Sequence, residues 1–533
     1  MAQVNIVQNI TGGFSESDTR LANLSDTLNM YVETQSTGSS TTSMLRSIQG
    51  TSLLHKISDR TCRGIIECAR DVNGEPVLFA VFADELYCIT NDNSVYLISK
   101  GTINNLDTPV SMCETGGEGS ANPHLIVVDG SNVIAVATNL QYDDMKNDVR
   151  SIALPYRVVQ PDKEKPSVRI TPTHCAYCYN YLIVNDAGTD AFYTSYQYPF
   201  ERDAGPSEPV DYDIFMISGR REVEAGYKDY GFVTYSEWSP DNTVALCSNA
   251  TLLYTFGPKS TQIFTYNNDV DAPFVSPTNA ANGIGIKAVH SLAMVGDYVF
   301  YLGSSSIGEN GVYFWKGNQM TKVSTPDIER YISSLPNTVD AKGQCWTENG
   351  HMFYAIAFVN GDTTLVYDIT ENLWHRRSTK DAKNNKQHSW RNLFATLHNG
   401  KLMFGTTDGA IVYLNNKKFD EYDGRPIIRM RRSGMLMNNY QDYCVDGLKL
   451  ICNSGDFVNP NLVPRIMMRY NDNGGAWSNQ EIGLLGHQGQ YGYEVEWFNL
   501  GLHNVMCIEF SCSDPINFCI LNGKIQYNLI DSF

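Results

Sequence analysis

The chain has 533 residues, too many for one ordinary hydrophobic core, so two or three domains are expected. Its 40 basic against 58 acidic side chains leave a formal charge of −18 with a pI near 5.0, a balance that repels phosphate backbones and excludes groove reading or nonspecific nucleic-acid binding. Thirteen cysteines, an odd number without framework spacing, exclude a disulfide scaffold and read as reduced, mostly buried, small apolar groups. No basic-then-apolar leader and no apolar run of about 18 residues occurs, so a soluble, cytoplasmically made protein is expected.

Residues 1–50 are polar and rich in Ser, Thr and Asn and read as an N-terminal arm. Within it Leu28, Met30, Tyr31 and Val32 mark a short apolar strand suited to adding to another sheet or another subunit, which makes them the candidate subunit or adaptor contact. Strand-turn-strand units follow, with a hairpin signal at Asp129-Gly130, then a connector rich in Pro and charge at 155–166. Cys175 and Cys178 form a lone Cys-x-x-Cys with no second pair, so structural cysteines are favoured over half a zinc site or a redox pair. Residues 199–243 carry a turn cluster and many charges and read as an insertion.

From 298 to 415 the plan is plainest. Val312-Tyr313, Val366-Tyr367 and Val412-Tyr413 recur after apolar strands and tight turns, with weaker copies at Tyr87, Tyr193 and Tyr254. Their spacing, roughly 45 to 60 residues, is that of propeller blades. Asn360-Gly361 and Asp408-Gly409 are expected as hairpin turns, since such pairs accept positive φ. Strands apolar on both faces imply stacked sheets. With 31 Tyr and 22 Phe, this gives an all-β protein: a β-propeller of six or seven blade-like repeats over 51–415 with an inserted segment, and a C-terminal antiparallel β-sandwich over 416–533. Unrelated hairpins in a sandwich are the alternative. Helix is expected chiefly at 326–335, with Thr325 as N-cap and Pro326 at the first helical position.

The C-terminal segment holds the most tempting motif, Asp472-Asn473-Gly474-Gly475-Ala476-Trp477, which approaches the Asp-box turn of sialidase-like propellers. Tyr470 and Ala476 depart from it. Asp472, Gly474 and Trp477 are therefore expected as a structural hairpin device, the Asp accepting turn N–H groups above a packed Trp. Arg429 and Arg431 share a strand face with Arg432 opposite; a solvated or inter-subunit strand is expected there rather than a clamp for a substrate carboxylate. His351, His375 and the run Trp374-His375-Arg376-Arg377 read as structural, at a strand end capped by charges. Metalloprotease, Gly-x-Ser-x-Gly and P-loop motifs are absent from the sequence. No catalytic residue, cofactor or metal is expected.

The order of motifs is more telling than any one of them. Tyr254-Thr255-Phe256-Gly257, Ala272-Pro273-Phe274, Gly311-Val312-Tyr313, Ser324-Thr325-Pro326-Asp327, Gly350-His351-Met352-Phe353-Tyr354, Thr364 to Asp368 and Leu373-Trp374-His375 resemble the packaged-DNA stabilization proteins of short-tailed phages, the hub or nozzle proteins of the tail. The likeness also touches residues 29–33, 469–477, 483–491 and 497–501. It implies a non-enzymatic virion protein assembled in the host bacterial cytoplasm: a homo-hexamer below the portal and its adaptor, closed by a needle or plug and flanked by tailspikes or fibres. Double-stranded DNA would pass through it without sequence recognition. A glycan-binding or glycan-hydrolysing propeller of the sialidase type is the alternative function.

Overall fold

The computed structural model describes all residues other than 1, 7–9, 20–22, 36–42, 70, 117–122, 153, 158–167, 196–218, 224–225, 231–232, 250, 270–271, 279, 306–307, 309, 382–385, 438, 458 and 531–533. Most of the expected insertion at 199–243 lies outside the described residues. The chain is all-β and divides into two compact units. One holds residues 1–53, 324–391 and 412–533; the other holds 54–323 and 392–411.

The second unit is the repetitive one. Four-stranded antiparallel sheets follow one another in the sequence: 62–100, 111–151, 175–235, 245–282 and 284–322, the last two carrying a fifth short strand. The hairpin Asn392–His398 and Lys401–Thr406 supplies another. Strands such as Val77–Phe82, His124–Val128 and Tyr181–Asn185 are buried at every position, which requires cover on both faces. Two apolar clusters supply that cover on opposite faces of the sheet that begins at Cys175. One holds Cys175, Leu182 and Val184, the other Ala176, Cys178 and Ile183. The late hairpin returns to the first sheet, where the His398 Nδ1 lies 2.7 Å from the Glu67 carboxylate. A late hairpin closing against the first of a succession of hairpin sheets is the propeller plan.

Turns repeat a chemical device. Between His124–Val128 and Val133–Ala137 the Asp129 carboxylate accepts from the N–H groups of Ser131 (2.8 Å) and Asn132 (2.7 Å), and Gly130 has φ +94°. Asp186 does the same work between Tyr181–Asn185 and Ala191–Thr194, where it also binds the Arg157 guanidinium. A short acceptor at the start of the loop replaces backbone partners that the tight reversal removes.

The first unit is assembled from three distant pieces of chain. Residues 342–380 form a blade-like sheet from Lys342–Glu348, His351–Phe358, Thr363–Asp368 and Leu373–Lys380. Helix Pro326–Ser334 precedes it, with Thr325 as N-cap and Pro326 at its start, as expected from sequence. The reversal at Asn360-Gly361 differs from the expected two-residue turn. Phe358 pairs with Thr363, leaving a four-residue loop in which Asp362 takes the positive φ of +49°, while Gly361 sits over Leu335.

A β-sandwich completes this unit. One layer runs Arg429–Arg432, Val505–Cys512, Arg465–Asp472, Glu481–Leu484; the other contains Tyr443–Asn453 between Tyr493–His503 and Cys519–Leu529. Its core includes Leu448, Leu450, Ile466, Met468, Trp497, Ile508 and Phe510. In the strand Cys519–Leu529, Gly523 is an interior residue, needed because an added Cβ would strike the Ile10 side chain. The stretch read as a polar arm enters both layers. Leu24–Leu28 lies between Leu373–Lys380 (parallel) and Arg429–Arg432 (antiparallel), and Met30–Thr34 pairs with Ser43–Ser47 in the other layer.

Candidate functional site

The best-developed constellation of side chains surrounds this inserted segment. Asn29 is where the chain leaves one layer for the other. It has φ +54°, a left-handed conformation that Asn tolerates better than most residues, and it is fully buried. Its amide donates to Ile428 O (2.8 Å) and to Ser378 O (3.2 Å) and accepts from the Ser378 N–H (2.9 Å). Its backbone N–H donates to Arg376 O at 2.8 Å, and its carbonyl accepts from Ile48 at 3.1 Å. A buried Asn is thus satisfied on all sides, which is what its burial demands.

Charge secures the same strand. The buried Asp26 carboxylate receives two N–H donors from Arg376, one of them Nε at 3.0 Å. Burial by itself lowers the Arg376 guanidinium, but the Asp26 carboxylate outweighs it and the net shift is upward. Arg431 reaches in from the next strand, its Nη1 donating to Gly13 O (3.0 Å), Asp26 O (3.3 Å) and Thr27 Oγ1 (2.8 Å). Burial brings this guanidinium down to about 10. Arg429 donates to Phe419 O (2.7 Å), Asp514 O (3.0 Å) and Ile427 O (3.2 Å). The expectation of a solvated or inter-subunit strand at Arg429 and Arg431 is corrected. Both are buried, with donors aimed at carbonyls of their own chain, and neither is arranged to clamp an added carboxylate.

Leu28, Met30, Tyr31 and Val32, expected at a subunit or adaptor contact, are covered within the single chain. Met30 and Val32 join the sandwich core. Tyr31 packs edge-on against His351 (4.9 Å between ring centroids) and Phe353 (5.5 Å), and its oxygen accepts from Asn349 Nδ2 at 3.1 Å. Strand addition does occur at this segment, but the receiving sheets belong to the same molecule.

Behind Tyr31 the run 374–377 turns inward instead of capping an exposed strand end. Arg377 is 1% exposed. Its guanidinium lies over Trp346 (4.8 Å), Trp390 (4.9 Å) and Phe353 (5.1 Å) and donates to Glu348 Oε2 at 3.1 Å. Aromatic faces and one carboxylate replace the water that this cation has lost. His351 Nδ1 is 2.8 Å from Asp368 Oδ2, a partnership that raises the imidazole above its ordinary value. His375 is lowered well below that value by burial, then by Arg377 and His351, and stays neutral.

The turn at Asp472, Gly474 and Trp477 keeps the hairpin of an Asp-box but not its wiring. Asn473 and Gly474 take φ +52° and +69°. The Gly475 N–H donates to the Asp472 carbonyl (2.8 Å), and Asn471 holds Gly475 O. The Asp472 carboxylate lies 3.3 Å from His503 Nδ1 instead of gathering turn N–H groups. Trp477 faces the guanidinium groups of Arg469 (4.8 Å) and Arg432 (5.2 Å), which both donate to the buried Glu509 carboxylate. Arg432, on the opposite strand face from its neighbours, is thereby engaged too.

Cys175 and Cys178 belong to the two clusters on opposite faces of their sheet, a separation that three-residue spacing imposes on any strand. They cannot share a metal ion. Among the described residues no group of three or more His, Cys, Asp or Glu is arranged to hold one. No described helix is long and apolar enough to cross a membrane.

Among solved structures, the chain is similar to virginiamycin B lyase from Staphylococcus aureus, with a TM-score of 0.38 and 10% identity, covering 68% of this chain and 97% of that one. A streptogramin B lyase gives a TM-score of 0.36 and 10% identity, covering 75% and 99%. Likeness at this level assigns neither activity nor ligand. No curated protein matches the chain. The family model described as Bacteriophage P22 Gp10, beta-propeller, matches residues 227–418, a span that takes in the resembling motifs from Tyr254 to His375. Over that span the chain is similar to the Bacteriophage P22 Gp10 β-propellers, a family of DNA-stabilising phage tail proteins.

Proposed function

We propose that this protein is a non-enzymatic structural component of a short phage tail, the hub or nozzle that extends the portal channel, retains packaged DNA and conducts it during ejection. The observation that carries this reading is the family match over residues 227–418. Assembly takes place in the host bacterial cytoplasm as a homo-hexamer seated on the portal-adaptor protein, plugged by a needle and bearing tailspikes or fibres. The reading is supported by the fate of the polar side chains: Asp26, Arg376, Arg377, Arg429 and Arg431 are spent on holding one chain together, as a mechanical part requires. It is also supported by the charge of −18. A ring of acidic subunits around a channel repels the phosphate backbone and lets DNA slide instead of adhering.

The test uses DNA-filled heads that carry portal and adaptor but no tail. Purified chain is added, the heads are sedimented, and copies bound and DNA retained are counted. About six copies per head with improved retention are expected for a closed ring. Absence of binding to heads, with capture or turnover of a glycan instead, overturns the reading.

A further inference from the structure

Within the propeller-like unit, Ser111–Thr115 and Cys175–Cys178 open two successive sheets, and their side chains meet. The Cys175 N–H donates to Ser111 Oγ at 3.1 Å, and the same oxygen lies 3.6 Å from Cys175 Sγ. Cys113, two residues from Ser111 and so on the same strand face, packs against the apolar cluster that contains Cys175. Cys113 and Cys175 thus line the same seam between the two sheets. Cys175 is buried and Cys113 only half-buried, and both are free thiols.

We propose that Cys113 and Cys175 are an oxidant-responsive pair that closes to a disulfide and staples these two sheets together. With a hydroperoxide as oxidant, the Cys113 thiolate attacks a peroxide oxygen, the O–O bond breaks, and the departing hydroxide takes up a proton to leave as water. Cys113 is then a sulfenic acid. The Cys175 sulfur attacks the Cys113 sulfur, the S–O bond breaks, and a second water leaves with the thiol proton. Two thiols and one hydrogen peroxide give one disulfide and two waters, the thiols losing the two electrons that the peroxide gains. Exposure makes Cys113 the first thiol reached and Cys175 the resolving one. Its neighbour Cys175, and then burial, hold the Cys113 thiol well above its ordinary value, so closure is slow near neutrality and speeds up as pH rises. The inference is independent of the tail reading, because its readout is on the isolated chain. On that reading the staple forms after release from a reducing cytoplasm.

The experiment treats the full-length folded chain with hydrogen peroxide at pH 7 and pH 9, alkylates remaining thiols after denaturation, and maps peptides by mass spectrometry. A linked peptide pair joining Cys113 to Cys175, formed faster at pH 9, with the other eleven of the thirteen cysteines still alkylated, is the expected result. Cys113→Ser abolishes the link and Cys178→Ser leaves it unchanged. Cys175→Ser leaves Cys113 as a sulfenic acid that dimedone captures. A wild-type link from Cys113 to Cys68, over-oxidation of Cys113 without a link, or thirteen alkylated thiols after the pH 9 treatment overturns the proposal.

Discussion

The two units are built on opposite principles. In the propeller-like unit a strand finds its partner a few residues away, as where Val128 pairs with Val133, and the turn between them carries its own stabilising Asp. In the sandwich-bearing unit partners are hundreds of residues apart: Leu28 pairs with Arg376 and Met430, and Asp26 is bound by Arg376. The lesson is that local pairing localises damage, whereas a unit closed by one inserted strand concentrates its stability in a few buried polar contacts. Long-range closure also costs more loop entropy before any contact rewards it.

The harshest way to break this contrast is to remove residues 1–34. The edges of Leu373–Lys380 and Arg429–Arg432 lose the strand between them, and hydrogen exchange is expected to show lost protection at both while Val77–Phe82 and His124–Val128 keep theirs. Equal loss in both units would erase the distinction. Next in size is Arg377→Ala, which leaves the Glu348 carboxylate buried without its cation and is expected to cost roughly 3–5 kcal/mol in chemical denaturation. Asn29→Ala removes a donor-acceptor amide from a fully buried, left-handed position. It is expected to cost about 2–4 kcal/mol, with Asn29→Gly milder because glycine accepts that φ.

Acid titration sharpens the comparison further. His375 is depressed in the folded protein, so the unfolded chain binds the extra proton first, and stability falls as pH drops below the ordinary His value of about 6.5. His351 runs the other way: its raised value gives stability that is complete below about 6.5 and lost as pH rises through the folded value. His375→Phe is expected to flatten the acid limb of melting temperature against pH. An unchanged limb would assign it to other groups. Smallest is Asp129→Ala, expected to cost about 1–2 kcal/mol through its lost turn acceptor, with exchange altered around 124–137 and at Asn104, whose N–H the same carboxylate accepts at 2.7 Å.

Legibility followed the same divide. The hairpin strands, the Asp129 and Asp408 reversals and the helix after Thr325 were readable because each is specified by neighbours in sequence. The polar arm was misleading. Its Ser, Thr and Asn content suggested solvent, but Asn29 and Thr27 are buried because strands from residue 376 and residue 430 supply the partners that water would have given. Arg429 and Arg431 misled likewise, since nothing adjacent announces the carbonyls of Phe419 and Gly13 that accept their protons.

By itself the sequence determined what depends on adjacency: strand periodicity, turn chemistry, the repeat, and the order of motifs, of which those from Tyr254 to His375 lie within the span 227–418 that the family model matches. Only the tertiary structure decided which charges are buried, that Leu24–Leu28 completes a sheet between two distant segments, and that Cys113 packs against the cluster that holds Cys175. The reason is physical. Desolvating an arginine or an asparagine is tolerable only once specific partners are in place, and those partners are chosen by the folded chain, not by the residues beside them.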